Sequence, residues 1–282
     1  ARNSGNHGNG VAELATRLSG SRDIVDGPSG PLGTVNFITA HDGFTLHDLV
    51  TYNVKHNQVN GESNRDGNNN NFSFNHGGEG EQVDGETLAQ RRRAMRNLMA
   101  TVLFSAGIPM ITAGDERAKT QLGNNNAYCQ DTVLSWVNWQ LSQHQLDFED
   151  TVAHLTRLRA ENSVLRPKHF NNFDEATPDS DLARWYNVFG QIMTEEDWQS
   201  SENRTFSKFG KSIADGTSNQ LLLVVHGTEE EIEITLPSEI ETKGFELLWD
   251  SALERPTAVK GAAKPGEVIT ISPTSIRLYN VL

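Results

Sequence analysis

The sequence has little cysteine, no long apolar run and a deficit of positive charge. The single cysteine, Cys129, excludes an internal disulfide framework and suits a reducing compartment, so we expect a cytoplasmic protein. No apolar run approaches the ~20 residues that a membrane span needs, and we expect neither a membrane segment nor a signal peptide. A formal net charge of −13 argues against nucleic acid and anionic membranes as partners.

The composition is otherwise that of a folded protein. The 282 residues are 36% hydrophobic and 22% charged, which suffices for a packed core in one large domain or in two. The chain begins at Ala1, in a stretch rich in glycine and asparagine and without an initiator methionine. We therefore expect a processed or truncated piece of a longer protein.

An apolar run at 35–40 ends in the adjacent pair His41-Asp42, and Gly43 then lets the backbone turn. A nearly unbroken apolar run is typical of a strand buried on both faces, as in parallel sheets. Polar side chains at the C-terminal end of such a strand lie where α/β barrels carry their chemistry. The pair is a candidate site, although an arbitrary His-Asp dipeptide is more often a satisfied structural pair.

A helix and a second strand follow. Thr87 with Gln90 forms a capping-box pattern that predicts the start of the helix. Residues 108–113 predict a second buried strand, which closes on Asp115 and Glu116. Strand, helix and strand in this order indicate a βαβ unit with parallel strands, so the two strand ends should be neighbours on one rim. Either carboxylate could instead cap the next helix.

Two asparagine-rich loops follow the predicted strands, at about 53–85 and 120–131. So long a loop as the first is usually functional or disordered. Asparagine side chains offer donors and acceptors that suit sugar hydroxyls, and Phe72 and Phe74 add rings that can stack on a pyranose. Two such loops on one rim would form a polysaccharide cleft.

Two amphipathic helices flank this region. One carries Val11 and Leu18 on its apolar face and should stop at Gly20. The other should stop before Pro167 and carries the apolar stripe Phe148, Val152, Leu155 and Leu158.

Beyond about residue 180 the pattern changes to short β-rich runs separated by turn residues, which is typical of an antiparallel β-sandwich. We therefore expect two domains, 1–168 and 169–282. The predicted strands are Leu182–Phe189, Gln220–His226, Glu231–Leu236, Phe245–Trp249, Val268–Ser272 and Ile276–Val281.

The His41-Asp42 pair is accompanied by further motifs: Tyr52-Asn53, Lys55-His56-Asn57, Asn60-Gly61-Glu62, Asn64-Arg65-Asp66-Gly67, Ala113-Gly114-Asp115-Glu116, Thr120-Gln121, Gly123–Asp131 and Trp136 with Trp139. Together they resemble the isoamylase-type glycogen debranching branch of the α-amylase superfamily of glycoside hydrolases, and the resemblance covers most of residues 10–165. His41-Asp42 looks like the family's fourth conserved region.

The resemblance implies retaining hydrolysis of α-1,6 branch points in glycogen or limit dextrin on a (β/α)8 barrel. The fold class is then α/β plus all-β: the last two βα units of a TIM-type barrel, followed by the antiparallel β-sandwich. Asp42 would stabilise the transition state, and neither a metal nor a cofactor is implied. The residues expected to bind an α-glucan (glycogen, limit dextrin or a maltooligosaccharide) are His41, Asn64, Arg65, Asp66, Asp115, Glu116, Asn126 and Tyr128.

The nucleophile and the general acid of the family come from earlier barrel strands. The segment Asp42–Asp48 is not the nucleophile motif, because Thr45 stands where that motif has an arginine. We therefore expect both carboxylates to precede Ala1 and the isolated chain to be inactive. With six barrel strands absent, it should also self-associate through Phe37, Ile38, Met110 and Ile111, or leave this region poorly ordered.

Two other classes of function remain open. A metal-dependent phosphohydrolase is suggested by His41-Asp42 and His47-Asp48, but such sites place their ligands on helices, which the strand before His41 and the turn at Gly43 disfavour. The other alternative is a non-catalytic saccharide-binding or structural fragment.

Overall fold

The computed structural model describes residues 10–172, 177, 181–214, 216–257 and 261–282. Its contacts divide the chain into two compact units. The first contains residues 37–102 and 110–153, and the second contains 10–36, 103–109 and 154–282. The predicted domain boundary at 168/169, which rests on the change of pattern along the sequence, stays a prediction.

The predicted parallel pairing of two strands is confirmed, but the strands are short. Strand β1 (Val35–Asn36) pairs in parallel with β2 (Ile108–Pro109), with Val35 opposite Ile108. The expected lengths, 35–40 and 108–113, are wrong. Pro109 has no N–H to continue the ladder, and no third strand joins this pair in the described part of the chain. The expected burial is also wrong, since Val35 is 52% exposed and Ile108 48% exposed.

The helices are α1 (Val11–Leu18), α2 (Leu46–Leu49), α3 (Gly85–Phe104), α4 (Gln143–Glu161) and α5 (Glu195–Gln199). Helix α1 and the apolar stripe of α4 agree with the prediction, since Val11, Leu18 and all four named residues of α4 are buried. The predicted capping box of Thr87 with Gln90 at the start of α3 is wrong. The side chain of Asp84 accepts hydrogen bonds from the backbone N–H and the hydroxyl of Thr87, so the helix begins earlier, at Gly85.

The antiparallel sheets expected in the C-terminal part are present. The strands are β3 (Leu182–Tyr186), β4 (Thr205–Ala214), β5 (Thr217–His226), β6 (Ile232–Thr235), β7 (Phe245–Asp250), β8 (Ala262–Ala263), β9 (Val268–Ile271) and β10 (Ser275–Val281). A six-stranded sheet has the order β3-β4-β5-β10-β7-β8, and β6 pairs with β9 in a second sheet. Both sheets contribute to one apolar cluster, in which Leu222 and Val224 of β5 pack with Ile234 of β6 and Ile271 of β9.

Strand β4 was not predicted, although it is one of the two longest strands and lies between β3 and β5. Lys208, Gly210 and Lys211 interrupt its apolar pattern. Its ten ladder pairs with β5 decide its conformation instead. In the residues that the structure describes, no helix has the length and apolar character required to cross a bilayer.

Candidate functional site

The His41-Asp42 pair lies on an exposed turn after β1. The side chain of His41 is 91% exposed and that of Asp42 80%, with 3.4 Å between Nε2 and Oδ2. Gly43 has φ +115°, which an L side chain rarely adopts, and its N–H donates to the carbonyl of Asn125 at 3.0 Å. Because both side chains face solvent, the pair is available to a ligand and is not a buried structural pair.

Asp115 lies beneath this turn and is only 2% exposed. Its Oδ1 accepts from the backbone N–H of Leu46 at 2.9 Å, and its Oδ2 accepts from the Thr39 hydroxyl. Burial, with smaller contributions from Glu116 and Asp48, raises the pKa of the carboxyl to about 6, against the effect of the two hydrogen bonds. The predicted sugar contact of Asp115 is not available here, because the carboxylate is buried and both of its oxygens are occupied.

Glu116 folds back onto its own turn. Its Oε2 accepts from the N–H of Gly114 at 2.9 Å, and its Oε1 lies 4.0 Å from Nε of Arg117. The side chain remains 37% exposed. Glu116 therefore stabilises the start of the short 3-10 turn Asp115–Arg117, and part of its carboxylate remains exposed to solvent.

The two asparagine-rich loops bind each other through their amide groups. The Nδ2 group of Asn57 donates to Oδ1 of Asn125 at 2.8 Å, and the N–H of Asn125 donates back to Oδ1 of Asn57 at 3.0 Å. Similarly, Nδ2 of Asn124 donates to Oδ1 of Asn60 at 2.9 Å. These buried amides hold the loops together, so they are not free to bind sugar hydroxyls.

Asp66 and Asn126, both expected to bind substrate, belong to the same network. Oδ2 of Asp66 accepts from Nδ2 of Asn60 at 2.7 Å and from Nδ2 of Asn126 at 2.9 Å. These two hydrogen bonds lower the pKa of the Asp66 carboxyl. Asn64 is used similarly, since its Oδ1 accepts from the N–H of Asn57 at 2.7 Å and its Nδ2 donates to the carbonyl of Lys55 at 3.1 Å.

Two further residues of this network were not predicted. The buried ammonium group of Lys55 donates to the carbonyls of Asp66 and Gly67 at 2.6 and 3.1 Å. The fully buried carboxylate of Asp48 accepts from the hydroxyl of Thr120 at 2.6 Å and from the N–H of Gln121 at 2.9 Å. The repeated His-Asp dipeptide marked Asp48 in the sequence but indicated a metal ligand rather than a loop anchor.

The side chains that remain open to a ligand are mainly aromatic or charged. Tyr128 is 81% exposed, and the side chain of Arg65 is 80% exposed. Exposed rings on the same unit are Phe72, Phe74, Trp136 and Trp139.

A cavity of about 320 Å³ is lined by Val54, Lys55, His56, Gln58, Asn64 and Asn69.

The described residues contain no cluster of ligands for the metal site of the alternative phosphohydrolase interpretation. His47 Nδ1 lies 3.6 Å from carboxylate oxygens of both Asp48 and Glu81. Asp48, however, is occupied by the second asparagine-rich loop. Throughout the described ranges, no three His, Cys, Asp or Glu side chains are grouped so that they could hold a metal ion.

Solved structures of two larger proteins share the fold of this chain. The chain matches the catalytic module of the multi-modular glycogen-degrading pneumococcal virulence factor SpuA with a TM-score of 0.63 at 14% identity, covering 95% of this chain and 39% of that one. It matches the pullulanase of Anoxybacillus sp. LM18-11, complexed with maltotetraose, with a TM-score of 0.56 at 16% identity, covering 95% and 30%. At these identities the similarity shows the fold alone.

Comparison with curated sequences is more specific. No family model matches the chain. It is 38% identical over 260 residues to a glycogen operon protein GlgX homolog of Mycobacterium tuberculosis, covering 86% of this chain and 35% of that protein. It is 40% identical over 229 residues to a glycogen debranching enzyme of Dickeya chrysanthemi, covering 80% and 33%. The chain thus spans about a third of the length of these relatives and is similar to them over four fifths or more of its own length, which confirms the predicted resemblance to glycogen debranching enzymes.

Proposed function

We propose that this chain is the C-terminal part of a debranching enzyme that hydrolyses α-1,6-glucosidic branch points of glycogen or limit dextrin with retention. The observation that carries the proposal is the 38–40% identity to relatives of that name over at least four fifths of the chain. It supports the proposal that the exposed His41-Asp42 turn lies at the active centre of the complete enzyme.

Asp42 is proposed to act as a third carboxylate. An exposed, ionised side chain can face the positive charge of an oxocarbenium-like transition state and stabilise it electrostatically. His41, beside it, is proposed to hold hydroxyls of the glucosyl unit at the cleaved bond. The nucleophile and the general acid belong to another part of the enzyme, so we expect no hydrolysis by this chain alone.

The substrate is proposed to be an α-glucan. Arg65 and Tyr128 are exposed on the two asparagine-rich loops, and aromatic faces are suited to stacking on sugar rings. Asn64, Asp66, Asn126 and Glu116 would act mainly by shaping these loops, since their polar groups largely bond within them. The parallel pair of strands β1 and β2 is proposed to be the seventh and eighth strands of the barrel. The protein is proposed to be cytoplasmic, which is compatible with the exposed thiol of Cys129.

Release of reducing ends from a branched limit dextrin tests the proposal. The complete enzyme should release linear oligosaccharides, and the purified chain of 282 residues should release none. Failure of the complete enzyme to cleave the branched substrate would refute the proposed reaction. Hydrolysis by the isolated chain would refute the assignment of the nucleophile and acid to another part.

The second candidate is a non-catalytic saccharide-binding fragment. It is favoured by Tyr128, Trp136 and Trp139, which are exposed by 81%, 57% and 76%. Binding of maltotetraose to the isolated chain, lost on Tyr128→Ala, would support this candidate for the chain by itself. Unchanged binding by that variant would count against it.

A further inference from the structure

One buried carboxylate holds both ends of the turn that carries the His41-Asp42 pair. Thr39 immediately precedes the segment 40–45 and Leu46 immediately follows it. Asp115 accepts a hydrogen bond from each, through Oδ2 from the hydroxyl of Thr39 and through Oδ1 from the N–H of Leu46. The same carboxylate therefore sets the separation of the two ends of the segment.

This contact joins parts of the chain that are far apart in sequence. Asp115 lies 76 residues after Thr39 and 69 after Leu46. Thr39 is 6% exposed, Leu46 1% and Asp115 2%, so water does not compete for these hydrogen bonds. Buried hydrogen bonds to an ionised acceptor are among the stronger ones in proteins.

The other contacts of the segment between the two anchors come from Gly43, Phe44 and Thr45. Gly43 donates one hydrogen bond to the carbonyl of Asn125, Thr45 accepts from the N–H of Asp48, and the side chain of Phe44 is buried. His41 and Asp42 themselves are exposed. Their direction is therefore set by the backbone of the segment, which its anchored ends and the buried Phe44 hold, rather than by packing of their own side chains.

We infer that Asp115 is a positioning residue, which aligns Asp42 and His41 for the reaction by fixing both ends of the segment 40–45 without touching the substrate. The inference rests on the proposed function for its catalytic consequence. Its structural part stands on the two hydrogen bonds. Small misplacements of a catalytic group cost large factors in rate, which makes such an anchor consequential.

Amide hydrogen exchange on the isolated chain tests the structural part. In Asp115→Ala, exchange of the hydrogen-bonded amides of Gly43 and Leu46 should accelerate about tenfold or more, because the two hydrogen bonds that fix the ends of the segment are lost. Exchange in residues 143–153 of α4 should not change. In Asp115→Asn the acceptor for Leu46 remains, so protection should return most of the way. Glu149→Gln is a matched control, since it neutralises a carboxylate that contacts Arg117 instead.

Thr39→Val provides a milder probe if Asp115→Ala fails to fold. It removes one of the two hydrogen bonds with little change of shape, and exchange of the Gly43 amide should accelerate about fivefold. Unchanged exchange at 40–46 in the folded variants would overturn the inference. An equal acceleration in 143–153 would also overturn it, since this would show general destabilisation.

Kinetics of the complete enzyme test the catalytic part. Asp115→Ala should lower kcat by about 10- to 100-fold with little change of KM, and Asp115→Asn should restore most of kcat. A wild-type enzyme that does not cleave α-1,6 branch points would refute the proposed function. An active wild-type enzyme whose kcat does not respond to Asp115→Ala would refute the positioning role alone.

Discussion

Asn57 and Asn125 exchange two hydrogen bonds, one between their side-chain amides and one from the Asn125 backbone to Oδ1 of Asn57. Asn57 is fully buried and Asn125 is 1% exposed. This pair joins the loop after the first strand to the loop after the second. The carbonyl of Asn125 also accepts from Gly43, so the pair connects to the candidate catalytic turn.

Replacement of Asn57 by alanine should therefore destabilise the fold. It leaves the buried N–H and Oδ1 of Asn125 without their partner in the pair, and the free energy of unfolding should fall by about 2–4 kcal/mol. Urea denaturation measures the change. Asn70→Ala is the control, because that residue is exposed in the same loop and its removal should change stability by less than about 0.5 kcal/mol. Equal effects of the two substitutions would contradict the role of the pair.

Gly67 should be intolerant of any side chain. It has φ +72°, and a Cβ atom there would meet Oδ1 of Asn125 and lie 2.7 Å from Nδ2 of Asn57. Gly67→Ala should cost about 2–4 kcal/mol, from strain and overpacking together. Substitution of Gly61 separates backbone strain from overpacking, because Gly61 also has a positive φ of +81° but has open space around it. Thermal unfolding of both variants measures the difference: Gly61→Ala should cost only about 1 kcal/mol, and an equal loss in both would disprove the steric argument.

The raised pKa of Asp115 predicts that the contribution of this carboxyl to the free energy of unfolding falls as the pH rises. Its folded pKa of about 6 lies above the unfolded value of 3.8, so the folded chain binds more protons between these values. The stabilising contribution is complete below pH 3.8 and is lost as the pH rises through 6. Relative to Asp115→Asn, the unfolding free energy of the wild type should fall by roughly 2 kcal/mol between pH 4 and pH 7.

Chemical denaturation of both proteins across this range checks the sign. Glu116, Asp48 and Lys119 also interact with Asp115 and remain in both proteins, so the difference isolates the one carboxyl. A difference that is independent of pH, or that grows in the opposite direction, would contradict the burial of an ionisable group at this position.

The sequence predicted the parts of the fold that depend on periodicity or on motifs. Helix α4 has a regular apolar stripe, and the parallel pairing of β1 with β2 follows from strand-helix-strand order. Strand β4 has no such pattern, and its conformation comes from pairing on both sides. In the site, asparagines were recognised as loop residues, but side-chain chemistry alone could not distinguish Asn57, which is buried and paired, from an exposed neighbour.

Self-association of the isolated chain stays a prediction. Phe37 is 52% exposed and Met110 39% exposed after the two short strands. Exposed apolar side chains beside an open strand edge favour pairing with a second chain. Light scattering should show a dimer or larger species that Phe37→Asp with Met110→Lys converts to a monomer. Val133→Asp is the control at another exposed apolar position. A strictly monomeric wild type with full amide protection across 35–40 and 108–113 would exclude this prediction.

The turnover of Asp42→Asn in the complete enzyme tests the central claim most directly. This substitution keeps the shape of an exposed side chain and removes the negative charge proposed to face the transition state. The account predicts that kcat for cleavage of α-1,6 branch points falls by about 10²–10³, with the fold unchanged by circular dichroism. Turnover close to that of the wild type would contradict the assignment of Asp42.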